Sequence, residues 1–248
     1  LLIGISGPSS SGKTTLSRLL RDVLNSSPLL HAFILHEDDF YKTDAEIPVN
    51  TDGLQDWDCL ESIDLPLLEK TLAHVKEHGS LPAGFESKED KNDVGKVDID
   101  WGVIERQTEN LKQKVQTLQQ GHERGKEAAG EASPALTIAI IDGFLLFAPS
   151  MASIRSLFSV KLFLRTDYAT AKRRREARSG YVTLEGFWED PPGYVDKVVW
   201  PNYVKDHSFL FRNGDVEGEL NEGVCTELGI VGMPKGLEGN MTGVFEWA

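Results

Sequence analysis

A phosphate-binding loop is the first chemical feature that the residue types and their spacing indicate. Residues 7–14 read Gly-Pro-Ser-Ser-Ser-Gly-Lys-Thr and fit the pattern G-x-x-x-x-G-K-[ST] without a mismatch. Glycine lets the backbone curl so that successive N–H groups point at phosphate oxygens, and a helix beginning near Lys13 adds its positive dipole end. In such loops the lysine reaches the β- and γ-phosphates and the next hydroxyl binds Mg²⁺. The pattern predicts nucleoside triphosphate binding by Gly7, Ser9, Ser10, Ser11, Gly12, Lys13, Thr14 and Thr15.

Acidic and arginine-rich segments supply the other groups that phosphoryl transfer needs. The pair Asp38-Asp39 follows a predicted strand, where small-molecule kinases place the residues that meet the acceptor hydroxyl. Asp142 ends another buried-strand pattern, where folds of this kind bring a carboxylate near the metal. The run 172–178 holds four arginines within six residues, and in a chain of net charge −13 this indicates anion binding.

Strand and helix patterns alternate along the segments that must position these groups. Buried-strand patterns cover residues 1–6, 31–36, 136–142 and 160–164, and residues 209–211 are predicted as a last central strand. Helical spacing covers residues 61–78, 103–118, 168–179 and 194–207, the last with a kink near Pro201. The alternation predicts an α/β fold of the P-loop nucleoside triphosphate hydrolase type, with helices flanking a parallel sheet. The pattern gives no clear order for residues 213–243.

Residues 83–135 differ from the rest of the chain in being rich in Lys, Glu, Asp, Gln and Gly. The segment interrupts the strand–helix alternation and has few apolar residues. We therefore expect residues 1–248 to form a single P-loop kinase domain. Residues 83–135 are expected to be a polar, solvated insertion that is free to move relative to the rest of that domain. The rest of the fold should be complete without that insertion.

The composition excludes several classes of protein and partner. The 248 residues are 40% hydrophobic and 26% charged, as in ordinary globular proteins, and the two cysteines suit a reducing compartment. A strongly acidic chain is poorly suited to duplex nucleic acid, and no apolar run approaches the ~20 residues of a membrane helix. We expect a cytoplasmic protein, with the nucleus also compatible, that needs no nucleic acid, membrane or obligate protein partner.

Three classes of protein use such a loop: switch GTPases, motor or remodelling ATPases, and small-molecule kinases. A GTPase would carry the guanine-reading pattern N/T-K-x-D after residue 135, and the sequence has none there. Motor ATPases are usually larger and need an arginine from a neighbouring subunit. The acidic pair and the basic run favour a small-molecule kinase, and a nucleotide-binding regulatory module without catalysis remains the alternative from another class.

The chain resembles the nicotinamide riboside kinase family, a uridine-kinase-like branch of the P-loop kinases, in six motifs that occur in order. These are GISGPSSSGKTTL, HEDDFYK, LQDWDCLES, IIDGFLLF, KRRREAR and PGYVDKVVWPNYV. The resemblance covers about residues 1–72 and 136–211, and the LQDWD and PGY-x-D-x-x-W-P segments are more specific than the phosphate loop. It implies Mg²⁺-dependent transfer of a phosphoryl group from ATP to the 5′-hydroxyl of nicotinamide riboside, which gives nicotinamide mononucleotide. A uridine or pantothenate kinase is the nearest alternative within the class.

Site residues follow from the resemblance where the motifs match. It implies that Asp38 is the base for the 5′-hydroxyl, that Asp58 and Arg175 hold the ribose hydroxyls, and that Trp57 lies against the nicotinamide ring. The residues it assigns to the substrate are Asp38, Asp39, Tyr41, Lys42, Trp57, Asp58 and Arg175.

The ATP and metal residues also follow from the resemblance. The basic run becomes a lid helix that places Arg174 and Arg178 over ATP, so that Lys13, Asp38 and Arg174 form the catalytic set. Thr14, Asp38 and Asp142 form the metal set.

Overall fold

A parallel five-stranded sheet forms the centre of the computed structural model, which describes residues 1–92, 97–123, 135–178 and 180–248. The strands of this described part are β1 (Leu2–Ser6), β2 (Leu30–His36), β3 (Leu136–Gly143), β4 (Val160–Phe163), β5 (Tyr181–Val182), β6 (Phe187–Trp188) and β7 (Val231–Gly232). The sheet order is β2-β3-β1-β4-β7, and all its pairings are parallel. Strands β5 and β6 form a separate antiparallel hairpin.

Helices cover both faces of the sheet. They are α1 (Lys13–Leu24), α2 (Leu65–His78), α3 (Trp101–Glu123), α4 (Ala152–Arg155), α5 (Tyr168–Glu176), α6 (Trp200–His207), α7 (Glu222–Leu228) and α8 (Met241–Trp247). Side chains alternate across β3, so Ile140 packs in the core cluster of α1, α3 and α8 while Ile141 packs in that of α2, α6 and α7. The predicted α/β class with helices on both faces of a parallel sheet is therefore confirmed.

The register of the central strands brings their carboxyl ends together. Ser6 of β1 pairs with Gly143 of β3, and His36 of β2 pairs with Asp142 of the same strand. The phosphate loop follows Ser6, and the acidic pair follows His36 after one residue. The predicted phosphate-binding and acidic segments consequently meet at one edge of the sheet, as expected for ligand sites in open parallel sheets.

The last central strand was wrongly predicted at residues 209–211. Residues Ser208–Leu210 form a 3₁₀ turn, and Phe211 makes only an isolated bridge to Leu220. Their apolar character reflects burial in the core, since Leu210 and Phe211 are almost fully enclosed. The fifth strand is β7, which pairs with the end of β4 and has only two residues, too few to give a periodic pattern.

The predicted helices are present with shifted ends. The helix predicted over residues 61–78 starts at Leu65, where the Asp64 side chain accepts a hydrogen bond from the Leu67 N–H. The segment 194–207 contains a π-helix over Val195–Val199 and then α6, and the change falls beside Pro201, whose nitrogen cannot donate. The predicted end of the basic helix at Ser179 lies outside the described residues, and α5 ends at Glu176.

The segment 83–135 packs on the domain more than its composition predicts. Ile99, Val103 and Ile104 are buried, and Ile99 and Ile104 belong to the cluster formed with α1 and α8. The Asp100 N–H also donates to the hydroxyl of Thr242 at 2.9 Å. The helix predicted over residues 103–118 is present within α3, and Val103 and Ile104 pack it on the domain. The burial of Ile99, just before α3, differs from the solvated segment predicted at that position. Residues 93–96 and 124–134 of this segment lie outside the described residues.

No helix within the described residues is long and apolar enough to span a membrane.

Candidate active site

The phosphate loop has the backbone geometry that its glycines allow. Gly7 has φ +149°, and a Cβ there would come 2.3 Å from the carbonyl oxygen of Leu164. Gly12 has φ +98° and precedes α1, and no side chain of the described residues caps the helix at this end. The first N–H groups of α1 are therefore open to an anion at the mouth of the loop.

Lys13 lies between the loop and the carboxylates at the strand ends. Its Nζ donates to the carbonyl oxygen of Pro8 at 2.9 Å. Burial lowers the pKa of Lys13, and the negative charges of Asp38 and Asp142 act against that shift. The lysine amine is thus held near two carboxyl groups, in the position expected for contact with a bridging phosphate.

Asp142 is buried at the end of β3 with one oxygen held and the other without a partner. Its Oδ1 lies 2.7 Å from Nδ1 of His36, and Oδ2 has no hydrogen-bond partner among the described residues. Although burial disfavours a charged imidazole, Asp142 raises the pKa of His36 to about 9. Because an unpaired buried carboxylate oxygen is costly, Oδ2 is a ready ligand for a cation or donor in the cleft.

Asp38 lines the same cleft as Lys13 and Asp142. Burial raises the pKa of Asp38, Lys13 opposes this rise, and Asp142 adds to it. A carboxylate whose charged form is disfavoured accepts a proton, or a strong hydrogen bond from a hydroxyl, more readily than a solvated one.

Glu37 is a buried acid that the sequence patterns do not single out. Its Oε2 accepts a hydrogen bond from the N–H of Leu145 at 2.9 Å, and burial raises its pKa to about 8. A Cβ at Gly143 would come 2.4 Å from Oε2, so glycine is required there for this contact. By accepting the Leu145 N–H, Glu37 holds the backbone that follows β3. Phe144, the residue before Leu145, lines the cleft.

Asp58 and Arg175 form a buried ion pair across the cleft. Two guanidinium nitrogens of Arg175 lie 2.8 and 3.0 Å from the two oxygens of Asp58. Asp190 holds the same guanidinium from another side, with an Nε–Oδ2 distance of 2.6 Å, and Arg175 also donates to the Ser9 hydroxyl at 3.0 Å. Burial raises the pKa of Asp58 to about 6 while Arg175 acts to lower it. The pair therefore presents a rigid carboxylate and guanidinium edge next to the phosphate loop.

Aromatic rings form the wall of the cleft beyond this ion pair. The distance between ring centroids is 5.4 Å for Trp57 and Tyr41 and 5.5 Å for Trp57 and Trp188. Tyr41 in turn stacks on Phe144, with a centroid distance of 6.3 Å. Trp57 is 4% exposed, and its indole Nε1 has no hydrogen-bond partner among the described residues. Tyr41 and Trp188 are tilted against Trp57, with interplanar angles of 77° and 45°, and the three rings form an apolar slot that suits an aromatic or cationic ligand ring.

These groups line one continuous cleft with an empty volume of about 920 Å³, the open solvent at its mouth included. The lining contains the predicted residues Ser9, Ser10, Gly12, Lys13, Thr14, Thr15, Asp38, Tyr41, Trp57, Asp58, Asp142, Arg175 and Arg178. A second cleft adjoins it across the phosphate loop and is lined by Ser11 and Arg174 together with residues of α8. Arg174 donates to the carbonyl oxygen of Ser10 at 3.1 Å, and Arg178 donates to the Tyr181 hydroxyl at 3.2 Å.

Asp39 and Lys42 were expected to line the substrate pocket, and the structure places both outside this cleft. Oδ1 of Asp39 accepts hydrogen bonds from the segment that starts at Ser87. The Lys42 amine donates to the carbonyl oxygen of Glu61 at 2.7 Å in a neighbouring groove. Consecutive residues of the 3₁₀ turn after β2 point in different directions, and so only the first acid of the pair faces the cleft.

Other residues that line the cleft or contact its lining were not identified from the sequence. They are His36, Glu37, Glu89, Asn92, Phe144, Tyr181, Trp188 and Asp190. A tryptophan two residues before an aspartate is a signal that could have identified Trp188, whose Nε1 donates to Asp190 at 2.9 Å. The acids inside the segment 83–135 could not be separated from its many surface charges.

Comparison with known proteins identifies relatives along most of the chain, although no family model matches. A nicotinamide riboside kinase of Schizosaccharomyces pombe is 42% identical over 222 residues, which cover 89% of this chain and 84% of the relative. The nicotinamide riboside kinase of Saccharomyces cerevisiae is 36% identical, covering 89% and 83%, and human nicotinamide riboside kinase 2 is 31% identical, covering 86% and 70%.

Among solved structures, a putative fructose transport system kinase from Silicibacter sp. TM1040 is 21% identical and covers 70% of this chain and 68% of its own. Its TM-score is 0.41. The two yeast relatives, in contrast, match over 222 and 223 residues of this chain. On these matches, the chain belongs to the nicotinamide riboside kinase family.

Proposed function

We propose that this protein transfers a phosphoryl group from ATP, with Mg²⁺, to the 5′-hydroxyl of nicotinamide riboside and so forms nicotinamide mononucleotide. The observation that carries the proposal is the single cleft in which the phosphate loop and Asp38 adjoin the Asp58–Arg175 pair and an aromatic slot. The curated relatives that are 36–42% identical carry the same function in their names.

The residues at the strand ends fit a magnesium ion. Asp142 offers a buried carboxylate oxygen without a hydrogen-bond partner in the described part of the chain, and Thr14 and Asp38 line the same cleft. No group of three or more His, Cys, Asp or Glu side chains in the described ranges is arranged to hold a metal alone. This agrees with Mg²⁺, which takes one or two carboxylates and completes its shell with water and phosphate oxygens. When bound, it would neutralise the charge that develops on the phosphates.

The remaining chemistry belongs to side chains of this chain. Asp38 accepts the hydrogen bond of the riboside 5′-hydroxyl and directs its oxygen at the γ-phosphate, while Lys13 offsets the negative charge there. Phosphoryl transfer has a loose transition state, so most of the rate gain should come from such positioning and charge stabilisation. Arg174 and Arg178 lie on the nucleotide side, where they would form a lid over the triphosphate.

Recognition of the riboside divides between its two halves. The Asp58 carboxylate and the Arg175 guanidinium would accept from and donate to the ribose hydroxyls, which are common to many nucleosides. The slot of Tyr41, Trp57 and Trp188 would take the base. Because nicotinamide riboside carries a pyridinium ring, aromatic faces attract it more than they attract a neutral base.

A panel of ribosides, together with pantothenate, tests the function in the presence of ATP and Mg²⁺. We expect the highest kcat/KM with nicotinamide riboside, measured as nicotinamide mononucleotide by chromatography, and lower values with nicotinic acid riboside and uridine. ATP binding without product from any riboside would contradict the proposal and would favour a regulatory module. Uridine or pantothenate as the best substrate would instead show that the aromatic slot has been assigned to the wrong ligand.

Replacing Trp57 by leucine should weaken the binding of the cationic substrate more than the binding of neutral substrates. Trp57 contributes stacking to every base but a cation–π attraction of roughly 0.5–2 kcal/mol only to the pyridinium. We expect the KM of nicotinamide riboside to rise several-fold more than that of nicotinic acid riboside, whose ring carboxylate cancels the charge, or of uridine. Steady-state kinetics on both substrates with both proteins measure the difference.

Two further variants control for packing, because Trp57 is buried and also contacts Tyr41 and Trp188. Trp57→Tyr keeps an aromatic face and should retain most of the preference for the cation. Trp101→Leu removes a tryptophan that is 61% exposed and should change neither KM. An equal loss for cationic and neutral ribosides in Trp57→Leu would leave this residue as a packing residue only.

A further inference from the structure

The segment Ser87–Asn92, which belongs to the polar stretch 83–135, is fastened at one end to the residue beside the proposed base. Oδ1 of Asp39 accepts hydrogen bonds from the Ser87 hydroxyl at 3.0 Å, the Lys88 N–H at 2.7 Å and the Glu89 N–H at 3.1 Å. The Lys88 amine donates in addition to the backbone carbonyl of Asp39 at 3.0 Å. With one carboxylate oxygen satisfying three donors, Asp39 is an anchor for this segment.

At its other end the segment holds the hairpin of β5 and β6. The side-chain oxygen of Asn92 accepts a hydrogen bond from the Val182 N–H at 2.9 Å, and its amide nitrogen donates to Glu89 Oε2 at 2.5 Å. The same hairpin carries Tyr181 and Trp188, both of which line the cleft. The chain thus links the strand end that bears Asp38 to the aromatic wall of the riboside pocket.

The hairpin needs external support. Each of its strands has two residues, and they pair only as Tyr181 with Trp188 and Val182 with Phe187. Phe187 at its far side is 58% exposed, so it adds little apolar burial. An isolated two-stranded hairpin is marginal in water, so it depends on outside contacts. Trp188 packs on Trp57, and Asn92 supplies a side-chain acceptor to the backbone N–H of Val182.

Glu89 and Asn92 also lie where the two clefts meet. Both residues line the cleft that contains Asp38 and the aromatic slot, which we call the riboside cleft. They also line the second cleft, which contains Arg174 and which we call the nucleotide cleft. Because the segment borders both clefts, a shift of its position would change the shape of both substrate pockets.

We propose that Ser87–Asn92 is a clasp that holds the β5–β6 hairpin over the junction of the two substrate pockets, with Asn92 as its positioning residue. The role in catalysis rests on the proposed kinase function, whereas the clasp itself can be tested without substrate. Asn92 acts through Tyr181 and Trp188, so its loss should affect substrate affinity more than the phosphoryl transfer step.

Asn92→Ala tests the clasp by amide hydrogen exchange and by kinetics. We expect exchange of peptides containing Val182 to accelerate about 2- to 10-fold, the range of one hydrogen bond, with β1 and β3 unchanged. The KM values for ATP and for nicotinamide riboside should also rise about 2- to 10-fold, and kcat should change less than twofold. Asn110→Ala, which removes an exposed asparagine of α3, is the matched control and should behave as wild type.

A compensating pair of substitutions separates the clasp from simple loss of stability. Asn92→Asp keeps an acceptor for the Val182 N–H but faces the Glu89 carboxylate, so it should open the hairpin. Adding Glu89→Gln restores a donor to the new carboxylate and should return the exchange of Val182 toward the wild-type rate.

Each outcome decides the proposal. Faster exchange confined to the hairpin in Asn92→Ala supports the clasp, and recovery in the double variant strengthens it. Wild-type exchange at Val182 overturns the clasp, and so does an equal acceleration in the central strands, which would mean global destabilisation. Because exchange is measured without substrate, failure of the riboside assay would overturn the proposed function and leave the result on the clasp intact.

Discussion

Replacing Asp38 by asparagine should lower kcat by at least about 100-fold, the low end of general-base contributions. The amide is nearly isosteric but cannot accept the proton of the 5′-hydroxyl, and it removes a negative charge that faces Lys13. The loss corresponds to about 2.7 kcal/mol of transition-state stabilisation. The KM of the riboside should change much less, because the contacts that we propose for the ribose and the base involve Asp58, Arg175 and the aromatic rings, which line the cleft apart from Asp38. Steady-state kinetics with saturating ATP measure both constants.

Asp39→Asn is the matched control for this prediction. The amide oxygen of an asparagine can still accept the three hydrogen bonds that Asp39 receives from residues 87–89. We therefore expect kcat within about 10-fold of wild type, since no contact of Asp39 with the cleft is lost. A loss confined to Asp39→Asn, with Asp38→Asn nearly active, would exchange the roles of the two acids.

The sequence was sufficient for the parts of the site that depend on short, local patterns. The phosphate loop needs particular residue types at fixed offsets, so the pattern around Lys13 predicts both its conformation and its place between β1 and α1. Long apolar runs such as residues 136–142 predict buried parallel strands. Because parallel strands end at the same edge of a sheet, the strand itself then positions Asp142 at that edge.

Contacts between distant segments were not predictable from such patterns. The roles of Asp38 and Asp39 differ because a 3₁₀ turn directs neighbouring side chains apart, which no periodicity of 2 or 3.6 residues reports. Trp188 and Asp190 reach the cleft only because a short hairpin folds back on Arg175. The two-residue strand β7 is likewise defined by its partner, β4, and not by its own composition.

The polar segment 83–135 shows how composition can mislead about packing. Its many charged residues predict solvation, yet Ile99, Val103 and Ile104 are buried at the start of α3, and the turn at Ser87–Glu89 donates hydrogen bonds to one oxygen of the buried Asp39 carboxylate. A few contacts decide whether a polar segment packs against the domain, because each polar or charged group that is buried there needs a hydrogen-bond partner. Removing the whole segment would therefore expose Asp39 as well as the apolar surface of α1.

Lys13→Ala should lower kcat/KM by about 100- to 1,000-fold or more, the effect of losing one preorganised charge at a transition state. Lys13 is the positive group that the structure places between the loop and the carboxylates of Asp38 and Asp142. Without it, those carboxylates and the phosphates of ATP repel one another at the point where further negative charge develops. Both ATP affinity, measured by calorimetry, and turnover should fall.

The fold should survive this change, because Lys13 begins α1 at the mouth of the loop and its one described hydrogen bond goes to the nearby carbonyl of Pro8. Lys42→Ala provides the comparison: its amine donates to the carbonyl of Glu61 outside the cleft, so its removal should leave ATP affinity and kcat close to wild type. Thermal unfolding of both variants separates lost chemistry from lost structure. Near-normal turnover in a folded Lys13→Ala protein would mean that the glycine-rich loop is not the site of the triphosphate, and the assignment of both clefts would then fail together.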